Sequence, residues 1–171
     1  KINISCNNKI FAAKILDEKY VEVKLSEPIY KSNNLKVVNL VGDFIDSGAK
    51  HFVINYKDDW PSIKKLEKIS REIRYNESLF PDGTNVNYYK VVDSNTLEVK
   101  TYEKGIESMM PSCASGSYAC AFNYSQKNNI FGEIKVLNDG GFFRIIFDEN
   151  YMNNTLMGKA EIEYKDLIKI N

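Results

Sequence analysis

The chain has 171 residues, with 23 Lys and Arg against 23 Asp and Glu and a single histidine, so it carries no formal net charge. That balance excludes the generic basic footprint for nucleic acid or anionic membrane, and neither is expected as a partner. At 43% hydrophobic residues, with 11 Tyr and 9 Phe, it can bury a real core and is neither disordered nor collagen-like.

No apolar run approaches the roughly 20 residues that span a bilayer, and Lys1 to Ile10 is too polar for a secretory signal. A soluble, cytoplasmic chain is expected. It opens at Lys1 without Met, inside a strand-like pattern, as a fragment would. In chain order, alternation places strands at Lys9 to Leu16 and Lys19 to Leu25 around Asp17-Glu18. Pro28 breaks the pattern, Lys31 to Asn34 is a polar stretch, and Leu35 to Ile45 suits one or two more strands. His51 to Tyr56 is a strand. Trp60 to Arg74 carries Ile63, Leu66, Ile69 and Ile73 at helical spacing, which predicts a surface helix over 60–74 with one buried stripe. Thr84 to Val92 and Thr96 to Tyr102 form a hairpin about Asp93-Ser94-Asn95. Cys113 to Gln126 has no charged face, so this second helix belongs at the centre of the fold. Strands at Glu133 to Leu137, Phe142 to Phe147 and Lys159 to Tyr164 complete the pattern. One α+β domain is expected, its sheet curled around the central helix. Tyrosine-rich Tyr88-Tyr89 is a candidate dimer edge.

Cys6, Cys113 and Cys120 cannot all pair, and no second Cys or His sits at zinc-ligand spacing around them, so neither a disulfide framework nor structural zinc is expected. Cys113 starts the enclosed helix, between Pro111-Ser112 and the small residues Ala114, Ser115 and Gly116. Free N–H groups at a helix start favour thiolate and bind carboxylate, so Cys113 is a candidate base or nucleophile. It could equally be a small core residue beside the cap. Cys120, among Ala and Phe, suits packing, and Cys6 suits a structural place in a strand. His51, at a strand entrance after a glycine turn, is either a functional group or a satisfied structural histidine. Glu103 ends a strand before Lys104-Gly105, as a solvated turn residue or as a carboxylate aimed into a cleft. Asn85 and Asn87 alternate on a strand that β-propensity would fill otherwise. Such amides need partners, and a bound substrate is one.

Together these segments resemble the diaminopimelate epimerase family. Asp46 to His51 is similar to D-T-G-x-P-H, and Arg71 to Tyr88 follows G-R-x-I-R-Y…F-P-x-G-T-N-V-N-F. Thr101 to Gly105 is similar to T-Y-E-R-G, and Ser112 to Gly116 to A-C-G-[ST]-G. Asp139-Gly140-Gly141 and Met157 to Ala160 extend the match. The order of four motifs, with the only histidine in register, makes the resemblance specific.

The resemblance implies a racemase or epimerase that needs no cofactor and no metal, with two cysteines facing the α-carbon of an amino acid from opposite sides. It implies two similar lobes, each a sheet or barrel around a helix that starts at a catalytic cysteine. Residues 1–171 resemble the second lobe alone, and the first lobe's cysteine motif is absent. Cys113 is then the second-lobe acid/base and Glu103 the carboxylate that assists it. His51 helps the opposite cysteine. Asn85 and Lys104 meet the substrate's distal end, while Ala114, Ser115 and Gly116 hold its reacting carboxylate. Lys104 stands where the family has a bidentate arginine, Lys50 replaces a proline, and Ile106-Glu107-Ser108 replaces G-E-T with about one extra residue before Cys113. LL-diaminopimelate, in lysine and cell-wall precursor synthesis, is the implied substrate. Histidine racemases of the same fold, carboxylate-using phenazine-pathway isomerases and a non-catalytic binding domain are the alternatives.

Overall fold

The computed structural model describes residues 2–6 and 9–161. The elements are β1 (Ile2–Cys6), β2 (Lys9–Ile15), β3 (Tyr20–Leu25), β4 (Ile29–Val37), β5 (Leu40–Asp46), β6 (Lys50–Asn55), α1 (Ile63–Arg74), β7 (Asn85–Asp93), β8 (Thr96–Glu103), β9 (Ser108–Met110), α2 (Ala114–Asn128), β10 (Gly132–Asn138), β11 (Gly141–Phe147) and β12 (Asn154–Lys159). The strands form one sheet in the order β1-β2-β3-β12-β11-β10-β8-β7-β6-β5-β4, with β9 on β8. Pairs β6–β7 and β8–β10 are parallel and the others antiparallel. Among the described residues no helix is long and apolar enough to cross a membrane.

The sheet wraps α2, which packs on β5, β6, β7, β8, β10 and β11. Every residue from Gly116 to Ser125 is buried, as the missing polar face requires. The sheet does not close into a barrel among the described residues: its path ends at β1 and β4. Strands β1 and β2 lie beyond the strands that pack on α2, and Ile2, Ile4, Ile10 and Ile15 are exposed.

Side-chain alternation divides the core in two. On β6, Val53 joins the cluster around α2, while Phe52 and Ile54 join the cluster with Leu66 and Ile73 of α1. On β7, Tyr89 faces α2 and Val86 and Tyr88 face the α1 side; on β8, Leu97 and Val99 face α2 and Tyr102 the α1 side. With period two, His51, Asn85, Asn87, Thr101 and Glu103 all fall on the α2 face. The centre of the sheet is therefore covered on both sides, and a row of polar side chains runs beneath the start of α2.

Several boundaries differ from expectation. α1 begins at Ile63 instead of residue 60, because Trp60 stacks flat on Tyr56 at 5.4 Å and the Ser62 carbonyl takes the first helical bonds, from Lys65 and Leu66. Ile63 is exposed, so the buried stripe is Leu66, Ser70 and Ile73. The polar stretch Lys31 to Asn34 lies inside β4: an edge strand buries only part of its surface, and Asn34, at φ 53, bonds its N–H to Asp43 where the register shifts. Among the described residues the last strand is Asn154–Lys159, earlier than the expected Lys159 to Tyr164, and its register sets Leu156 against Val23 and Ile145. Residues 162–164 lie outside the described ones. Tyr88 and Tyr89 are fully buried on a strand with neighbours on both sides, so they form no dimer edge. Cys6 lies in β1, and its side chain is outside the described ones.

Gly116 lets α2 approach the sheet: a Cβ there would stand 2.2 Å from Asn87 Nδ2 and 3.1 Å from Thr101 Oγ1. Both neighbours are hydrogen-bonded strand residues that cannot withdraw freely. Gly116→Ala, although it improves helix propensity, is expected to lower the unfolding free energy by about 1–3 kcal/mol through overpacking. Urea denaturation of the variant checks this, and an unchanged or raised midpoint would contradict the close approach.

Candidate active site

Cys113 is the N-cap of α2, with extended backbone at φ −144 and ψ 109, and is half-buried. Its carbonyl accepts the Ser117 N–H at 2.9 Å. The N–H groups of Ala114, Ser115 and Gly116 precede the first helical bond and have no acceptor within the helix. No acidic residue occupies that first turn, so the partial positive charge of the helix start is left for a ligand. Cys113 Sγ lies 3.6 Å from Ser115 Oγ. The turn is tied to the β5–β6 connection by Ser47, whose hydroxyl donates to the Ser115 carbonyl at 2.9 Å.

In front of this turn opens a cavity of about 470 Å³. Five of the expected residues line it: Asn85, Glu103, Lys104, Cys113 and Ser115. They arrive from β7, the end of β8 and its turn, and the start of α2, separated in sequence by up to 30 positions and joined by the parallel β6–β7 pairing and the β7–β8 hairpin. Ala114 is exposed on the same turn, and Gly116 lies beneath it against Asn87. Ala49, Lys50, Asp82 and Gly83 complete the lining. Of these four, Lys50 stands out in the sequence only as the residue in place of the motif's proline, and nothing local marks Ala49, Asp82 or Gly83 as site residues. Asp82 and Gly83 sit in the Pro81-Asp82-Gly83 turn, whose signal reports backbone chemistry and not what faces a ligand.

The Asn85 amide is largely committed. Its Oδ1 accepts the Lys104 N–H at 2.8 Å and its Nδ2 donates to the Lys50 carbonyl at 3.1 Å, which leaves one N–H for a ligand. Both lysines gather at Asp82: Lys50 Nζ meets its carboxylate at 2.6 Å and Lys104 Nζ its carbonyl at 2.6 Å. The Lys50 bond raises that ammonium's pKa and lowers that of Asp82, but the pair is solvated and weak. The wall thus offers two ammonium groups and a carboxylate, all free to re-pair. The Glu103 carboxylate has no hydrogen-bond partner in the protein among the described residues, while its carbonyl accepts the Glu107 N–H at 2.8 Å.

Glu107 fixes the turn after Glu103. Its carboxylate accepts from Gly105 N–H at 3.0 Å, Arg74 Nε at 3.2 Å and the Tyr102 hydroxyl at 3.3 Å. Burial opposes its charge, but bonds from Gly105, Arg74, Tyr75 and Tyr102 prevail and lower its pKa. The same guanidinium fills the space beside Gly83, where a Cβ would fall 1.4 Å from Arg74 Nη1. Arg74 therefore braces both turns of the cavity's far wall. Arg74→Ala should cost roughly 1.5–3 kcal/mol, the worth of hydrogen bonds to a charged group, and speed amide exchange at residues 104–107. Hydrogen-exchange mass spectrometry that showed no acceleration there would argue against the brace.

His51 is not on the cavity. It is fully buried one layer below, paired in register with Asn85, and its Nδ1 lies 2.8 Å from Asn87 Oδ1. Burial lowers its pKa from 6.5 to about 4, against the opposing effects of the Asn87 bond and Asp46. An unfolded chain holds the imidazole near pH 6.5 and so binds one more proton than the native state between pH 6.5 and 4. The His51 contribution to stability should fall as pH drops through that window and amount to a loss on the order of 3 kcal/mol. His51→Gln is expected to remove this dependence, as urea titrations between pH 4 and 7.5 would show; parallel curves for the two proteins would refute it.

The fold is shared with solved racemases and epimerases. A hydroxyproline epimerase from Agrobacterium vitis matches at a TM-score of 0.69 and 10% identity, over 88% of this chain and 53% of that one. A probable proline racemase from Agrobacterium radiobacter K84 matches at 0.60 and 11%, over 82% and 51%. A phenazine biosynthesis protein from Bacillus anthracis matches at 0.57 and 13%, over 97% and 68%. No family model matches the sequence. Among curated proteins, the diaminopimelate epimerase of Hydrogenobaculum sp. is 35% identical over 115 residues, 65% of this chain and 42% of that protein. That of Methanocella arvoryzae is 32% identical over 174 aligned positions, 93% and 59%, and that of Chlorobaculum tepidum 27% over 163, 94% and 62%. The chain is similar in sequence to diaminopimelate epimerases and spans less than two thirds of the length of these relatives.

Proposed function

We propose that this chain is the second lobe of a two-lobe amino-acid epimerase acting on diaminopimelate, inactive until the other lobe supplies a second acid/base. The observation that carries the reading is the meeting of Cys113, Glu103 and the unpaired first-turn N–H groups of α2 at one cavity. The substrate carboxylate lies against the N–H groups of residues 114–116, which stabilise the negative charge that develops as the α-proton leaves. The Cys113 thiolate takes that proton from one face and becomes a thiol. A thiol of the other lobe then donates a proton to the opposite face, which inverts the carbon. Glu103 exchanges the proton on Cys113 between turnovers. The reaction needs no carbanion-delocalising cofactor, because the helix start performs that stabilisation.

The far wall favours diaminopimelate over histidine as substrate. The distal end of diaminopimelate carries both an ammonium and a carboxylate, and the wall presents Asp82 for the first and Lys50 and Lys104 for the second. The free N–H of Asn85 adds a donor to the same carboxylate.

α-Proton loss in heavy water, followed by proton NMR, tests the reading. The chain alone should leave LL-diaminopimelate unexchanged, and the chain joined to the half it lacks should exchange it. Cys113→Ser should slow that exchange at least about 100-fold, the lower end of an acid/base contribution. Binding without exchange in the joined form would make this a binding domain, and exchange of histidine alone would reassign the substrate.

A further inference from the structure

Cys113 is held weakly by its own helix. As the N-cap it has non-helical backbone, its side chain makes no cap bond, and its Sγ stands 3.6 Å from Ser115 Oγ. Where the thiol sits relative to the open N–H groups of residues 114–116 is therefore set by the chain that enters α2 and by the seating of the first turn.

One turn outside the cavity holds both. Between β10 and β11, the Gly140 N–H donates to the Pro111 carbonyl at 2.6 Å. Asn138 Oδ1, at the end of β10, accepts the hydroxyl of fully buried Ser117 at 3.1 Å. Pro111 precedes Cys113 by two residues and Ser117 follows it by four, so the turn grips the chain on both sides of the thiol. The approach is close: a Cβ on Gly140 would stand 3.1 Å from the Pro111 oxygen and 3.3 Å from its carbonyl carbon. The turn is itself anchored. Asp139 accepts from the Lys100 ammonium at 3.0 Å, and β10 runs parallel to β8, whose Thr101 pairs with Met110 just before Pro111. Asn138, Asp139 and Gly140 do not line the cavity.

We infer that Gly140 and Asn138 are positioning residues: from outside the cavity they hold Pro111 and Ser117, and so fix the Cys113 thiol in register with the acceptor-free N–H groups of α2. The grip stands independently of the epimerase reading. That the thiol it fixes works on the α-carbon of an amino acid rests on that reading.

Alkylation of Cys113 in the chain alone reads the register, with peptide mass spectrometry to separate it from Cys6 and Cys120. The thiolate displaces iodide from iodoacetate or iodoacetamide, and the new C–S bond forms at a carbon next to a carboxylate or a neutral amide. Iodoacetate gains over iodoacetamide when its carboxylate meets the N–H groups while its carbon meets Sγ. The ratio of the two rates at Cys113 should exceed that of N-acetylcysteinamide in the same buffer; a ratio no higher overturns the inference. Gly140→Val pushes on Pro111, and Ser117→Ala releases the first turn from Asn138. Each should lower the ratio about 3- to 10-fold, part of the roughly 100-fold that an ångström of misplacement costs an aligned reaction. Arg144→Ala, an exposed position on the same hairpin, should leave it unchanged. A ratio unchanged in either of the first two variants overturns the two-sided grip, because a merely structural turn would lower the urea midpoint alone. An equal fall in Arg144→Ala overturns it too, by tracing the effect to a loosened hairpin. Should Gly140→Val fail to fold, Gly140→Ala serves, since its Cβ already meets Pro111. No step here requires turnover, so a failure of the epimerase reading leaves the result standing.

Discussion

Helix α2 has ten consecutive buried residues, from Gly116 to Ser125, and most of the fold follows from the need to enclose it. Apolar side chains leave it in every direction, so no single sheet face can cover it and the strands must curl around. The curl brings β6, β7 and β8 to the centre, where α2 covers one face and α1 the other. Burial on both faces then explains why Phe52, Val53 and Ile54 can follow one another without a polar residue between them.

Polar contacts set how the enclosed helix is rotated and how deep it sits. Near its start, Gly116 rests on the Asn87 amide, which is held by Thr101 and His51. In its second half, Asn123 donates to buried Asp43 at 2.6 Å, and Lys127 pairs with the same carboxylate from the rim. Tyr30 closes this cluster, its hydroxyl accepting from Asn123 and its pKa pushed up to about 12 by burial and by Asp43. Such contacts add little net free energy each, but wrong registers would leave them unpaired. They thereby place Cys113 at the mouth of the cavity, where the helix emerges from its wrapping.

On the proposed epimerase reading, a site built this way acts from one side only. The helix start supplies a thiol, a partial positive field and N–H groups without acceptors in the helix. The strands below supply a neutral floor, in which burial keeps His51 uncharged at neutral pH. The proposed inversion at carbon needs a second proton carrier on the opposite face, which the proposal assigns to the other lobe.

Hydrophobic period alone determined most of this protein's elements. The amphipathic stripe of α1, the unbroken apolar centre of α2, the apolar run of β6 and the alternation of β7 and β8 are local properties, legible because side-chain direction repeats every 3.6 or 2 residues. The motif order also brought Asn85, Glu103, Lys104, Cys113 and Ser115 forward as one site. Tertiary structure decided the rest. Sheet closure depends on which distant strands meet, so a barrel could not be told from a sheet open at β1 and β4. The polar run in β4 reads as a loop until β5 pairs with it. Lys50, Asp82 and Gly83 become lining residues, and Arg74 and Glu107 a brace, only because the parallel β6–β7 pairing and α1 bring remote turns together. His51 matched its motif, yet its burial and its hydrogen bond to Asn87, which Thr101 and Gly116 hold in place, join residues from three other elements whose contact no local pattern encodes.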